Sequence, residues 1–319
     1  MTELVTVIIP AYNAADTLDE TLNSVRAQTW TNLEILVVDD GSRDNTLAVA
    51  ERHAAEDPRV RAITKANGGV AEARNLGIAQ AKGDFIAPVD ADDLWLPTKI
   101  EKQMAALKAA GPDCALAYTW FRVIDGESRV MSHCGHNEAE GDVVRDLCLS
   151  NIVGNGSSPL MRKAAVIEAG GYDPSLRANN AQGCEDLKIY FEIARRHRFA
   201  VVKEELTGYR WTPENMSSDS MKMLRSYDLV MDPMRDIYGE RFGHEIEWGR
   251  RFFMDFLLQR AILYGSLKSV RDPWMALYRS RGRPPVKTTY RFFWGRLRLW
   301  LTRHRRSTAK KYLETGPSA

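Results

Sequence analysis

This sequence predicts an α/β fold with a mainly parallel, doubly wound sheet, followed by a helical C-terminal region. Three observations carry that expectation. Short β-branched apolar runs alternate with segments of helical periodicity through the first half of the chain, becoming mixed after residue 115, as in a parallel sheet wound by crossover helices. The polar stretches "PAYN", "DDGS" and "VDADD" each follow such a run directly, and open α/β sheets bind ligands beyond the carboxyl ends of their strands. From about residue 220 onward the signals are almost all helical.

The elements follow in order. "LVTVIIP" reads as a buried strand. "ADTLDETLNSVRAQ" sets Leu18, Leu22 and Val25 at helical spacing, with Asp16 as its N-cap. "LEILVVDD" is a second strand, "RDNTLAVAERHAA" a helix capped by Asp44 or a neighbour, and "VRAIT" a third strand. "GVAEARNLGIAQA" is a helix stopped by Gly83, and "DFIAPVDA" a fourth strand. "PTKIEKQMAALKAAG" is a helix lying between Pro97 and Gly111. "ALAYTWFRVIDGESRVMS" looks like a strand pair turning at Asp125–Gly126. "EDLKIYFEIARR" is a helix with Leu187, Tyr190, Phe191 and Ala194 on one face, and "RSRGRPP" at 279–285 is the clearest linker. The expected division is a catalytic or binding unit at 1–219 and a helical region at 220–319.

Composition sets the bounds. At 44% hydrophobic and 27% charged residues, the chain can bury an ordinary globular core. The start, "MTELVTVIIP", lacks a basic n-region, and no run of about 18 apolar residues occurs, so neither a leader nor a spanning helix is expected. The four scattered cysteines form no CxxC pair and read as reduced thiols of a cytoplasmic protein. A net charge of +2 conceals an asymmetry: residues 273–313 hold twelve Lys and Arg and no acid, so the rest of the chain is acidic.

In "VDADD", Asp90, Asp92 and Asp93 crowd three carboxylates into four positions. Like charges so close raise one another's pKa unless something neutralises them. The first loop, "PAYNAAD", has no glycine, and no Gly-rich loop with Lys and Ser or Thr occurs anywhere. That disfavours a dinucleotide fingerprint, a P-loop and a sugar-1-phosphate nucleotidyltransferase. Mg²⁺ or Mn²⁺, held by one or two carboxylates plus substrate phosphates, would reverse the repulsion. Asp90 and Asp92, two apart on an extended segment, can face one ligand. The plainer reading is a solvated acidic turn capping the next helix, a role Asp93 could fill alone.

The ordered series "VTVIIPAYNAADTLDETLNSVRAQTWTNLEILVVDDGSRDNT", "NGGVAEARNLGIAQAKGDFIAPVDADD" and "GCEDLKIYFEIARR" resembles the family 2 glycosyltransferases, over residues 4–215. The resemblance implies a GT-A fold and an inverting transfer of a sugar from a nucleotide diphosphate to a hydroxyl acceptor. It implies that Pro10, Ala11 and Tyr12 line the base pocket, and that Asp40 accepts from a uracil imide while Asp39 supports the loop. Asn67 and Gly68 would shape the loop near the nucleotide, with Arg74 at the diphosphate and Asp90 at the ribose or sugar. Asp92 would be the principal ligand of Mn²⁺ or Mg²⁺. Asp186 would be the general base, with Glu185 either positioning or capping; first-turn acids are otherwise ordinary helix caps. Asn155, Ser157 and Ser158 would reach sugar hydroxyls, unless they serve only the turn at Gly154 and Gly156. Many relatives have a His two residues after the Arg of a "YR" motif, where this sequence has Thr212. Either Arg210 and Trp211 take over the phosphate contact, or the metal depends more on Asp92 and the diphosphate. UDP is the expected donor nucleotide; GDP and dTDP stay open.

"SHCGH" groups His133, Cys134 and His136 without a second pair at zinc spacing and reads as a polar loop. In "TYRFFWGRLRLWLTRHRR", Phe293, Leu297, Trp300 and Leu301 share a helical face with Trp294 at its margin. Arg291, Arg298 and Arg305 flank one side, Arg296 and Arg303 the other. That suits an in-plane helix at an anionic lipid surface, and hence a lipid-linked or other glycan acceptor and a cytoplasmic enzyme held peripherally at the inner face of the membrane. The bland alternative docks the same face on the acidic body. A non-catalytic nucleotide-sugar-binding module is the second function class. A nucleic-acid binder is disfavoured, since the body is acidic and no recognition helix or stacking platform is evident.

Overall fold

The structure is a computed structural model that describes residues 2–134, 136–212, 219–264, 267–281, 290, 294 and 310–316. Four parallel strands come first: β1 (Val5–Ala11), β2 (Leu33–Asp39), β3 (Val60–Thr64) and β4 (Phe85–Pro88). Every residue of β1 and β2 is buried, because helices cover both faces of a doubly wound sheet. The crossovers are α1 (Leu18–Arg26), α2 (Thr46–Glu56) and α3 (Val70–Gln80). Their apolar periodicity faces inward, as with Leu18, Leu22 and Val25 of α1.

Beyond β4 the sheet becomes mixed. β5 (Leu94–Trp95), α4 (Lys99–Ala110), β6 (Cys114–Ile124) and β7 (Val130–Cys134) are followed by α5 (Val144–Leu149) and β8 (Pro159–Arg162). Then come α6 (Lys163–Glu168), α7 (Ser175–Ala178), α8 (Glu185–Ala194) and β9 (Arg198–Arg210). The strand order is β3-β2-β1-β4-β8-β6-β9-β5, with β7 paired to β6. β8 is antiparallel to both β4 and β6. Four residues are too few to display a strand period, so the strand that turns the sheet from parallel to mixed is silent in the sequence. β6 and β7 form the expected hairpin.

Some helix ends differ from expectation. Thr17, not Asp16, stands at the N-cap of α1, and its hydroxyl donates to Ala91 O at 2.9 Å. Asp44 does accept from the first-turn amide of Thr46 at 3.0 Å. α3 stops at Gln80, ahead of Gly83, which is small because a Cβ there would meet Leu4 O at 2.6 Å. Gly111 ends α4 as expected, at φ +88.

The helical region shares the core of the first unit. α9 (Ser220–Tyr264), bent at Phe242, and α10 (Leu267–Arg281) follow β9. Met223, Tyr227, Met231, Ile246 and Leu257 of α9 lie in one apolar cluster with Ile8, Leu116 and Tyr190. Residues 310–316 then return to the sheet. Tyr312 is fully buried with Leu94, Leu96, Ile124, Val202 and Leu206. Its hydroxyl donates to Glu205 O at 3.1 Å and its amide to Ser128 O at 2.8 Å. All four cysteines are free thiols.

Of the amphipathic stretch expected at 289–306, Tyr290 and Trp294 are described, and both are exposed. Phe293, Leu297, Trp300, Leu301 and the arginines beside them lie outside the described residues, as does the linker from 282 to 285. No described helix is long and apolar enough to cross a membrane.

Candidate active site

The carboxyl ends of β1, β2 and β4 open into one cleft of about 1200 Å³, lined by Pro10, Ala11, Tyr12, Asp40, Asn67, Arg74, Asp90, Asp92, Asn155, Glu185, Asp186 and Trp211 among others. The fold therefore gathers three loops and the start of α8 at one place. The half-buried Gly68 and the buried Ser157 and Ser158 are not part of that lining.

The three clustered carboxylates separate into different roles. Asp93 is fully buried and faces away from the cleft. It accepts from the Ser157 hydroxyl and, at 2.8 Å, from the Arg210 amide. It caps no helix; the N-cap of α4 is Thr98. Burial, with the negative Asp92 and Asp90 beside it, pushes its pKa well up. Asp90 pairs with Arg74 at the cleft wall. Asp92 lines the cleft, and its carbonyl accepts from Arg210 Nε at 2.6 Å. Arg210 also donates to Asp125 O, Gly126 O and Glu20. Its guanidinium is thus engaged in holding the loop, which removes Arg210 as the substitute phosphate contact expected opposite Thr212.

Ser157 and Ser158 are fully buried. The Ser157 hydroxyl receives the Asp90 amide at 2.9 Å, and Ser158 donates to Asn155 Oδ1 at 3.1 Å. Both hydroxyls are engaged within the turn, as in the plainer of the two roles the sequence left open. Asn155 itself lines the cleft. Its Oδ1 also accepts from Ser157 N at 2.9 Å, which fixes the amide orientation, and its buried Nδ2 has no protein partner among the described residues.

On the nucleotide side, Asp40 organises the loop after β3. It accepts from Gly68 N at 2.9 Å, Gly69 N at 2.7 Å and Lys65 Nζ at 2.9 Å. Asn67 Nδ2 donates to Asp40 O at 2.9 Å. Asp39 receives Ser42 N and Thr64 Oγ1, supporting the loop as expected. Tyr12 stands half exposed at the rim. Arg74 is buried with its cation 5.0 Å from the Tyr172 ring centre. Burial disfavours its charge, but Asp90, Tyr172 and Asp186 overcome that and raise its pKa.

Asp186 begins α8 beside Glu185. Burial raises its pKa to about 6, with Glu185 and Asp90 adding to the rise and Arg74 and the Leu187 amide opposing it. Glu185 is buried, accepts from Gly183 N at 2.8 Å, and is raised chiefly by burial. Sequence reasoning missed Asn151. Its Nδ2 lies 3.4 Å from Asp186 Oδ2, and its Oδ1 accepts from Gly154 N at 3.0 Å. The "NIVG" spacing is a weak Asx-turn signal that could have marked it. Gly154 sits at φ +89, and a Cβ there would meet Phe121 at 2.4 Å.

His133 and His136 donate to the buried Glu205 at 2.8 and 2.7 Å, alongside Arg122 at 2.6 Å. The cluster neutralises a carboxylate and already contains a cation. Among the described residues, no three His, Cys, Asp or Glu side chains converge on a metal position. A divalent ion in the cleft would therefore take protein oxygen from Asp92, with Asp90 nearby, and the rest from phosphates. That donor set is hard oxygen throughout and suits Mg²⁺ or Mn²⁺.

Comparison with known proteins agrees with this geometry. Residues 6–165, half of the chain, match the model of glycosyl transferase family 2. The chain belongs to that family. It is 46% identical over 103 residues to the uncharacterized glycosyltransferase YibD of Escherichia coli, a stretch spanning 32% of this chain and 30% of that one. The fold matches Staphylococcus aureus TarS 1–349 with a TM-score of 0.61 at 18% identity, covering 88% of this chain and 80% of that one. TarS 1–349 has also been solved with UDP and with UDP-GlcNAc. A mannosyltransferase of Pyrobaculum calidifontis, solved with GDP-Man and Mn²⁺, matches with a TM-score of 0.58 at 18% identity over 94% of this chain and 88% of that one. The fold is that of the GT-A glycosyltransferases.

Proposed function

We propose that this protein is an inverting glycosyltransferase that moves a sugar from a nucleotide diphosphate, with UDP as the expected nucleotide, to a hydroxyl of a glycan or lipid-linked acceptor. The observation that carries the reading is Asp186, a carboxylate raised to about 6 in the same cleft as Asp40, Arg74, Asp90 and Asp92. A binding module has no need of a base tuned toward neutrality, whereas a general base works best with a pKa near the operating pH.

The base of the nucleotide would lie against Pro10, Ala11 and Tyr12. A carboxylate offers about four acceptor positions. Asp40 has three engaged with Lys65, Gly68 and Gly69, which leaves one for an imide N–H. Arg74 would meet the diphosphate, drawn there by charge although held by Asp90. Asn155 Nδ2 is a fixed donor in want of an acceptor and suits a sugar hydroxyl. A divalent ion at Asp92 would neutralise charge on the departing diphosphate. Asp186 Oδ2 would take the proton of the acceptor hydroxyl as that oxygen attacks the anomeric carbon from the face opposite the diphosphate. Asn151 holds this carboxylate, and Glu185 is bound back to Gly183 and so positions the turn.

UDP-sugars incubated with Mn²⁺ should release UDP, faster with acceptor than without. Binding with no release, with or without acceptor, would favour the second reading, a regulatory nucleotide-sugar module. The basic segment supports peripheral placement on the cytoplasmic face of an anionic membrane, where a lipid-linked acceptor would be met.

A further inference from the structure

Most cations at the cleft are engaged by protein groups. Arg74 pairs with Asp90, Arg210 is held by Glu20 and three backbone carbonyls, and Arg260 lies over the Trp211 ring at 4.8 Å. Lys65, beside Asp40, has its three N–H donors on Asp40, Ala66 O and Glu72. Arg177 differs. It lines the cleft from α7, in the segment that leads into Glu185 and Asp186. Its Nη2 donates to Asn67 Oδ1 at 2.5 Å, and among the described residues no carboxylate pairs with it. One of its five N–H donors is therefore used. Asn67 Nδ2 donates to Asp40 O at 2.9 Å, which fixes the amide so that its oxygen faces Arg177.

Arg177 stands beside the open position on Asp40. Oδ1 of Asp40 accepts from both Gly68 N and Lys65 Nζ, whereas Oδ2 accepts from Gly69 N alone. The remaining acceptor position is therefore on Oδ2. Arg177 packs on that same Gly69: a Cβ there would meet Arg177 Cδ at 2.8 Å and Nη1 at 3.1 Å. The lack of a side chain at Gly69 is what lets the arginine come so close. A nucleobase whose imide N–H reaches Asp40 Oδ2 carries a ring carbonyl next to that N–H, and the carbonyl needs a donor. The Gly68 and Gly69 amides and Lys65 are already turned to Asp40, which leaves Arg177. The diphosphate lies elsewhere in the proposed arrangement. Arg177 touches the loop after β3, while Asp90 and Asp92 follow β4, and β3 and β4 bound opposite sides of the parallel portion of the sheet.

We infer that Arg177 reads the nucleobase of the donor, donating to the carbonyl beside the imide N–H that Asp40 accepts. The proposal rests on the nucleotide-sugar reading and adds a specificity-determining residue to it. A carboxylate acceptor next to a cationic donor selects a base edge with N–H beside C=O, as in uracil, thymine and guanine. Cytosine and adenine carry an acceptor nitrogen and an amino donor at those places. They would set lone pair against carboxylate and N–H against guanidinium, so the pair of residues excludes them as well as favouring the others.

The test titrates the full chain in Mn²⁺ with UMP, UDP and CDP by calorimetry. Arg177→Ala should weaken UMP and UDP by the same factor, roughly three- to tenfold, the net worth of one hydrogen bond. CDP should bind the parent more weakly than UDP and be no weaker in the variant. Should Arg177→Ala lower the melting temperature, Arg177→Gln keeps a polar side chain too short to reach the base and should weaken UMP and UDP likewise. A loss that grows from UMP to UDP would assign Arg177 to the diphosphate and overturn the proposal. Equal losses for UDP and CDP would make its role structural and overturn it too, as would affinities indifferent to both variants. If the parent takes GDP in place of UDP, GMP and GDP present the same edge and replace UMP and UDP in the comparison. Failure of the unaltered protein to bind either diphosphate would instead strike at the nucleotide-sugar reading itself.

Discussion

Asp186→Asn should make the protein more stable and almost inactive, and the gain in stability should depend on pH in a specified way. Burial pushes the Asp186 carboxyl up to about 6 in the folded chain, from an ordinary aspartate value of 3.8. The folded state therefore binds this proton more tightly than the unfolded state. The contribution of Asp186 to stability is therefore greatest below pH 4, falls as pH rises through the interval from 3.8 to about 6, and carries the full penalty above it. Two units correspond to about 3 kcal/mol, and solvent at the half-buried carboxylate reduces that to about 1–2 kcal/mol. Asparagine keeps an acceptor for Leu187 N and has no charge to desolvate. In EDTA and without nucleotide, the melting temperature of the variant should equal that of the parent near pH 4. It should exceed the parent's by roughly 2–4 °C at pH 7–8, taking about 2 °C per kcal/mol for a large domain. Differential scanning fluorimetry across that range measures it. A pH-independent difference, or an Asn variant less stable at pH 8, would refute the claim that burial holds this carboxylate near neutrality. Transfer should fall by roughly two to four orders of magnitude with UDP affinity little changed. In the parent, kcat/KM should decline below about pH 6 as the base is protonated.

Asp92→Ala measured in Mn²⁺ should bind UDP as weakly as the parent does in EDTA; equal parental affinity in the two buffers by calorimetry would remove the metal from Asp92. Gly154→Ala forces a side chain into φ +89 and against Phe121, so it should cost roughly 1–3 kcal/mol in urea unfolding and lower kcat through Asn151; an unchanged midpoint and rate would contradict the packing described. Tyr312→Ala leaves a cavity among Leu94, Leu96 and Leu206 and should cost roughly 3–5 kcal/mol; a loss under about 1 kcal/mol, no more than a surface change brings, would show that residues 310–316 do not hold the sheet. Changing Arg291, Arg296, Arg298, Arg303 and Arg305 to Gln should abolish salt-sensitive pelleting with anionic vesicles while leaving the melting temperature unchanged; pelleting that persists, or a lowered melting temperature, would assign those arginines to the protein body.

What the sequence made legible follows the physics of each signal. β1, β2 and the crossover helices were readable because a sheet covered on both faces demands continuous apolar strands and strictly periodic helices. The cleft was locatable because polar residues directly after such strands have nowhere else to point. The division of labour within "VDADD" was not readable. Asp93 is turned inward by Ser157 and the Arg210 amide, partners 64 and 117 positions away, and no local spacing encodes such pairing. Ser157 and Ser158 were left between two roles for the same reason, since a loop hydroxyl looks alike whether it faces a sugar or a buried carboxylate. Asn151 escaped because its role passes through Gly154 and Asp186 together.

The C-terminal segment illustrates the same limit with a functional consequence. Its charge and periodicity suggested a free tail that either binds lipid or packs on the body. Tyr312 changes the terms of that choice, because an aromatic ring sealed at Glu205, Gly208 and Leu206 ties the chain back to β9 beyond the basic stretch. The stretch is thus joined to the body at both ends, by α10 before it and by Tyr312 after it. β9 also ends in Arg210, which grips the Asp92 carbonyl, and leads directly into Trp211, which lines the cleft. Tyr312 thus joins the chain beyond the basic stretch to the strand whose last residue supports the Asp92 loop. A membrane contact made by the basic stretch would set the orientation of the cleft as well as its address, and this is why neutralising the arginines with Tyr312 intact is a cleaner experiment than cutting the chain.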